Sequence, residues 1–160
     1  MTNYKNRKSI RLKNYDYTQD GLYFVTICIQ NREHLLGEIT NGQHIVYDSG
    51  KMVDSIWKNL DKYFNGVKTY EFVIMPNHVH GIIGLENSSL NLSEIIRRFK
   101  TFTTRQYIKH VDYSQWQPFC KRLWQRNYYD HIIRNEQSLE KLRIYIENNP
   151  LKWDTDILNV

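Results

Sequence analysis

The chain has 160 residues, with 41% hydrophobic and 24% charged residues and a net charge of +5. That length and balance fit one globular domain, residues 1–160, and exclude a disordered chain. No run approaches a membrane span, residues 1–20 lack the apolar stretch of a secretory signal, and Cys28 and Cys120 form no CxxC pair, so a reduced cytoplasmic protein with two packing cysteines is expected.

Residues 1–20 hold Arg7, Lys8 and Arg11 among five basic residues ahead of the first acid, Asp16. They read as a basic arm, either solvated or gripping a polyanion. Leu22–Gln30 is rich in β-branched and aromatic residues and predicts a buried strand. Leu35–Ile39 and His44–Tyr47 flank Asn41-Gly42, a hairpin signal. From Lys51 to Phe64 the apolar residues repeat at three and four, which predicts a helix ending at Asn65-Gly66.

Tyr70–Met75 and His78–Leu85 are two more strands, and the tight Pro76-Asn77 corner between them makes them antiparallel neighbours. A helix starts at Asn91, with Glu94 three residues on, and runs to about His110. Residues 111–120 look irregular, and Leu123–Ile133 looks extended. A last helix runs from Arg134-Asn135-Glu136 to Asn148, before Pro150. Antiparallel strands interleaved with helices predict an α+β fold of ferredoxin-like type.

Side chains alternate along a strand, so His78 and His80 share one face while Val79, Ile83 and Leu85 take the other. Their Cβ atoms are then about 6–7 Å apart, close enough to share a divalent ion, although two structural histidines would look the same. A two-imidazole site needs a further ligand. On the last helix Tyr145 and Asn149 lie about 40° apart, beside the Leu139, Leu142, Ile146 stripe. They can approach one point on a packed sheet. Tyr128 and Tyr129, next to Asp130-His131, are competing tyrosines.

Between Arg97 and Arg126 there are eight Lys or Arg and one acid, interleaved with aromatic residues. That pattern suits a single-stranded nucleic acid, with cations for phosphates and rings for bases. A solvated helix face over a buried aromatic stripe would give it too.

Together these segments resemble the single-tyrosine HUH transposases, most closely the REP-associated tyrosine transposases. The resemblance rests on Gly21–Thr26, Val73–His80, Leu123–His131 and Ile144–Pro150, taken in that order. It implies a ferredoxin-like HUH endonuclease fold with an antiparallel sheet and packed helices. It implies that His78 and His80 bind Mg²⁺ or Mn²⁺ and that Asn149, where relatives often carry Gln, is the further ligand. It implies Tyr145 as nucleophile, forming a 5′-phosphotyrosine bond and freeing a 3′ hydroxyl. The expected activity is a metal-dependent single-stranded DNA endonuclease and strand transferase acting on hairpins. Arg7, Lys8, Arg11, Arg97, Arg98, Lys100, Arg105 and Arg126 are the expected DNA contacts. Relatives occur as monomers and as homodimers. Two rival readings are a non-catalytic nucleic-acid-binding module of the same fold and a hydrolase that uses water.

Overall fold

The computed structural model describes residues 19–159. The expected contacts at Arg7, Lys8 and Arg11 lie outside the described residues. In chain order the elements are β1 (Gly21–Cys28), β2 (Gly37–Thr40), β3 (Gln43–Val46), α1 (Asp48–Lys58), α2 (Leu60–Tyr63), β4 (Val67–Met75), β5 (His78–Leu85), α3 (Leu92–Ser114), β6 (Tyr129–Ile133) and α4 (Glu136–Asn148). Short 3-10 turns follow β1 at Gln30–Arg32 and α4 at Pro150–Thr155.

The main sheet has the order β4-β5-β1-β6, and every neighbouring pair is antiparallel. β5 therefore lies between β1 and β4, which run the same way. This is the split β-α-β arrangement of ferredoxin-like folds. β2 and β3 form a separate hairpin across Asn41-Gly42, inserted between β1 and α1.

The sheet has two apolar faces. Tyr23, Val25 and Ile27 of β1 and Val79, Ile83 and Leu85 of β5 pack with Val53 and Trp57 of α1 and Ile95 and Phe99 of α3. On the opposite face, Leu22, Phe24, Ile82 and Ile133 lie under Leu139, Leu142 and Ile146 of α4. All eight residues of β5 are buried, as a central strand covered on both faces must be. Gly81 makes this packing fit. A Cβ there would lie 2.6 Å from Trp57 and 2.7 Å from Phe72, so only glycine lets the indole settle on the strand.

Several boundaries differ from expectation. The helix expected over 51–64 starts at Asp48 and breaks at Asn59, whose ψ of 4° is not helical. α3 continues to Ser114, because Val111 packs against the core and His110 stacks on Trp116 at 4.3 Å. The extended stretch expected from Leu123 is a strand only from Tyr129; before it, Trp124 makes an isolated bridge with Ile29. Cys28 is buried, but Cys120 is exposed, so only one of the two cysteines packs. Among the described residues no helix is long and apolar enough to cross a membrane.

Candidate active site

The histidines sit in the middle of the sheet. β5 pairs with β1 and β4, placing His78 opposite Cys28 and Met75, and His80 opposite Thr26 and Val73. Both point to the α4 face and are buried, at 0% and 2% exposure. Their Nε2 atoms face each other at 3.1 Å.

The other ring nitrogens are held from behind. Asn77 donates through Nδ2 to the carbonyls of Leu158 and Arg32, at 2.7 and 3.3 Å. Its amide orientation is therefore set, and Oδ1 is the atom 2.7 Å from His78 Nδ1. Oδ1 can only accept, so His78 carries its proton on Nδ1 and turns a bare Nε2 lone pair into the site. Thr26 Oγ1 holds His80 Nδ1 at 2.7 Å. A hydroxyl both donates and accepts, so it can serve His80 in either tautomer.

α4 supplies the phenol. Asn135 caps the helix by accepting from Ser138 N–H at 2.7 Å, and Leu139 and Ile146 anchor it to the sheet. This brings the Tyr145 hydroxyl to 3.5 Å from His80 Nε2, within one chain. The Tyr145 ring meets His80 edge-on at 5.3 Å and Phe24 at 5.9 Å, and the residue is 39% exposed. Asn149 ends the helix, buried, beside both His78 and the Tyr145 hydroxyl. Its Oδ1 has no hydrogen-bond partner. The 3-10 turn then doubles the chain back over His78 through Trp153 and delivers Asp156, whose Oδ2 lies 3.8 Å from His78 Nε2. That oxygen is also buried without a hydrogen bond.

The environment keeps the imidazoles neutral. Burial, then the neighbouring His80 and Arg32, pulls the His78 pKa down to about 2. Burial alone pulls His80 down to about 3. Neutral imidazole is the form that ligates metal. The Tyr145 pKa is raised, chiefly by burial and then by Asp156, while a hydrogen bond from Asn149 opposes the rise. Burial and the neighbouring carboxylate thus both favour the neutral phenol.

The residues fit a divalent cation. One ligand atom each from His78, His80 and Asp156 all lie within 4.8 Å of one another. Two acceptors left without hydrogen bonds among the described residues, on Asn149 and Asp156, stand beside the two imidazoles and complete a set of nitrogen and oxygen donors. Asp156 was not singled out in the sequence. It lies outside any periodic element, and Asp154 two residues before it offers the same side chain.

The expected DNA contacts scatter. Arg97 and Arg98 both bond Glu94, at 2.6 and 3.2 Å, and Arg98 also lies over Phe64. Lys100 Nζ donates to the carbonyls of Gln125, Arg126 and Asn127, so it holds the segment before β6 in place. Arg105 and Arg126 line a groove of about 660 Å³ between α3 and that segment, together with Lys121 and Arg122. α3 packs on the face away from α4, so this groove is not at the histidines. Lys121, Arg122 and Arg126 also line a second hollow with Gln30 and Asn31, at the end of β1 nearest the histidines.

The competing tyrosines separate. Tyr128 is 5% exposed and its hydroxyl lies 3.3 Å from Ser93 Oγ. Tyr129 is 53% exposed and pairs with Thr26, on the histidine side of the sheet. Two strand spacings separate it from His80, about 10 Å, so it flanks the cluster without joining it.

Comparison with known proteins identifies the family and the fold. The model of the IS200-like transposase family matches residues 17–149. An uncharacterised protein of Haemophilus influenzae is 39% identical over 175 aligned positions, covering 96% of this chain and 93% of that protein. A second H. influenzae protein, provisionally named a REP-associated tyrosine transposase, is 28% identical, covering 88% of this chain and 77% of that one. Among solved structures, a REP-associated tyrosine transposase bound to a REP hairpin superposes with a TM-score of 0.62 at 21% identity, covering 89% of this chain and 73% of the other. A provisionally named transposase from Deinococcus radiodurans gives 0.53 at 18% identity, covering 86% and 95%. These two share the antiparallel fold. With the family model matched over most of its length, and a near full-length relative at 39% identity, the chain belongs to the IS200-like transposase family.

Proposed function

We propose that the protein is a metal-dependent endonuclease and strand transferase acting on single-stranded DNA, with a hairpin as its recognised form. The observation that carries this reading is the Tyr145 hydroxyl standing 3.5 Å from His80 Nε2 at the mouth of the donor cluster. The solved relative bound to a REP hairpin supports the choice of substrate.

His78, His80, Asp156 and Asn149 would hold the ion, Mg²⁺ or Mn²⁺. Once bound, it supplies positive charge to a nonbridging phosphate oxygen and to the phenol. Tyr145 loses its proton to solvent through the exposed side of the site and attacks phosphorus in line. The new bond joins Tyr145 to the 5′ phosphate. The bond to the 3′ oxygen breaks, and that oxygen takes up a proton as a hydroxyl. Free phenol is only about one part in a thousand ionised at neutral pH, so the hydrogen bond from Asn149 matters. The phosphotyrosine bond keeps the energy of the phosphodiester, so a 3′ hydroxyl can later reverse the step without ATP.

Phenol, imidazoles and carboxylate come from one chain, so a monomer holds the whole constellation. Residues 1–160 act as one HUH domain in the cytoplasm, where DNA is found.

The test is incubation of labelled single-stranded hairpin DNA with the protein and Mn²⁺ or Mg²⁺, followed by a denaturing gel. A covalent protein–DNA species that is lost in EDTA and in Tyr145→Phe is expected. Cleavage without an adduct would favour the water-using hydrolase. Binding that survives EDTA, with neither cleavage nor adduct, would favour the non-catalytic module.

A further inference from the structure

We infer that Arg32 is a phosphate-binding residue, whose guanidinium takes an oxygen of the DNA backbone where the strand enters the histidine cluster. The inference rests on the DNA reading of the site and adds to it a residue outside the metal donors and the nucleophile.

Arg32 ends the 3-10 turn after β1. Its Nη1 is buried and has no hydrogen-bond partner among the described residues. Among the described residues no carboxylate forms an ion pair with it. Arg32 is half-buried, and a guanidinium nitrogen that has left water without gaining a partner is costly. Removing its charge would make the free protein easier to fold. Its retention is explained by an anion that arrives from outside.

The position fits a DNA phosphate. The Arg32 charge is felt by His78 and by Cys28, which lie opposite each other across β5 and β1. The Arg32 carbonyl accepts from Asn77 Nδ2, the same amide that orients His78. Its sequence neighbours Gln30 and Asn31 line the hollow that shares Lys121, Arg122 and Arg126 with the basic groove. Arg32 thus belongs to the turn that links this basic hollow to the strand pair carrying His78.

The backbone supports a selected placement. Asn31 and Arg32 both have φ of +59°, two successive non-glycine residues in the left-handed region. Such residues persist where the surroundings over-determine them, and they gather at binding sites. Here the hydrogen bond from Arg32 N–H to the Ile29 carbonyl, at 3.1 Å, and the Asn77 bond hold the turn.

The test uses Arg32→Gln in the full chain, with Tyr145→Phe in both proteins and EDTA present so that no chemistry intervenes. Binding of dT20 is measured by fluorescence anisotropy across a salt series. Arg32→Gln is expected to weaken binding about tenfold. It should also lower the slope of log affinity against log salt by about 0.7, one single-strand phosphate contact. Arg32→Lys should restore the slope, and Lys62→Gln, an exposed lysine on α2, should leave it unchanged. The melting temperature of Arg32→Gln should equal or exceed that of the parent. An unchanged salt slope would overturn the inference and leave the DNA reading standing. A clear drop in melting temperature would make Arg32 a structural residue and also overturn it. If dT20 binds to neither protein, this inference fails, while the DNA reading stands or falls on the covalent adduct with hairpin DNA.

Discussion

The two buried histidines make a quantitative prediction about acid stability. In the unfolded chain each imidazole titrates near 6.5, whereas in the fold His78 stays neutral to about pH 2 and His80 to about pH 3. Between those limits the unfolded state binds more protons, so stability falls as the pH drops below about 6.5. It is fully present above that value, and the histidine contribution stops changing below about pH 2. From pH 7 to pH 5 each unfolded imidazole gains about 2 kcal/mol from protonation, about 4 kcal/mol for the pair. This figure depends only on the unfolded value, provided both rings stay neutral in the fold at pH 5. It is a large part of a typical total of about 5–15 kcal/mol. The assay is urea denaturation at pH 7, 6 and 5 in EDTA, comparing the parent with His78→Gln and His80→Gln. Carboxylates contribute equally to all three proteins and cancel. Each variant should lose about 2 kcal/mol less than the parent over this range. A variant that loses as much as the parent would mean that the substituted imidazole accepts a proton in the fold, and the argument from burial would fail.

Four more expectations follow from individual residues. Thr26→Val removes the hydroxyl behind His80 at nearly constant volume and should weaken Mn²⁺ binding about 10- to 100-fold by calorimetry. Unchanged affinity would show that Thr26 does not orient the ligand. Lys100→Met leaves three carbonyls without their charged donor and should cost about 2–3 kcal/mol in urea denaturation. A loss below about 0.5 kcal/mol would refute the anchoring role. Tyr128→Phe and Tyr129→Phe should both keep the covalent adduct on a denaturing gel. An exposed ring can serve as a stacking platform for a base, and on that reading Tyr129→Ala should weaken single-stranded DNA binding about 5- to 100-fold. Loss of the adduct in Tyr129→Phe would move the nucleophile to β6.

Much of the architecture is readable from local pattern. The β-branched run in β1, the three-and-four spacing in α1, the Asn91 cap of α3 and the Asn135 cap of α4 each report their own element. Alternation along β5 places both histidines on one side, and helical spacing places Tyr145 near Asn149 beside the apolar stripe. These signals are legible because a strand repeats every two residues and a helix every 3.6, so a few neighbouring side chains reveal the buried face.

Other features carry no local mark. The paired phenylalanines, tryptophans and tyrosines from Phe99 to Tyr129 do not announce which ring is buried. Packing hides Tyr128 against Ser93 and leaves Tyr129 in solvent. Lys100 looks like any basic residue of an interaction surface until the segment before β6 folds over it. Arg97 and Arg98 likewise meet Glu94, which the excess of positive charge obscures.

By itself, the amino-acid order determined an α+β chain with two imidazoles on one strand face and a phenol on the last helix. Only the tertiary structure decided that these groups meet, that Asp156 joins them from beyond the helix, and that Arg32 buries a guanidinium nitrogen with no partner among the described residues. The physical reason is range. Periodicity records which side of an element is apolar, within a turn or two of the chain. The meeting of residues 78, 145 and 156 depends on how α4 settles over the sheet and how the following turn doubles back, which the summed burial of both apolar faces determines and no single segment encodes.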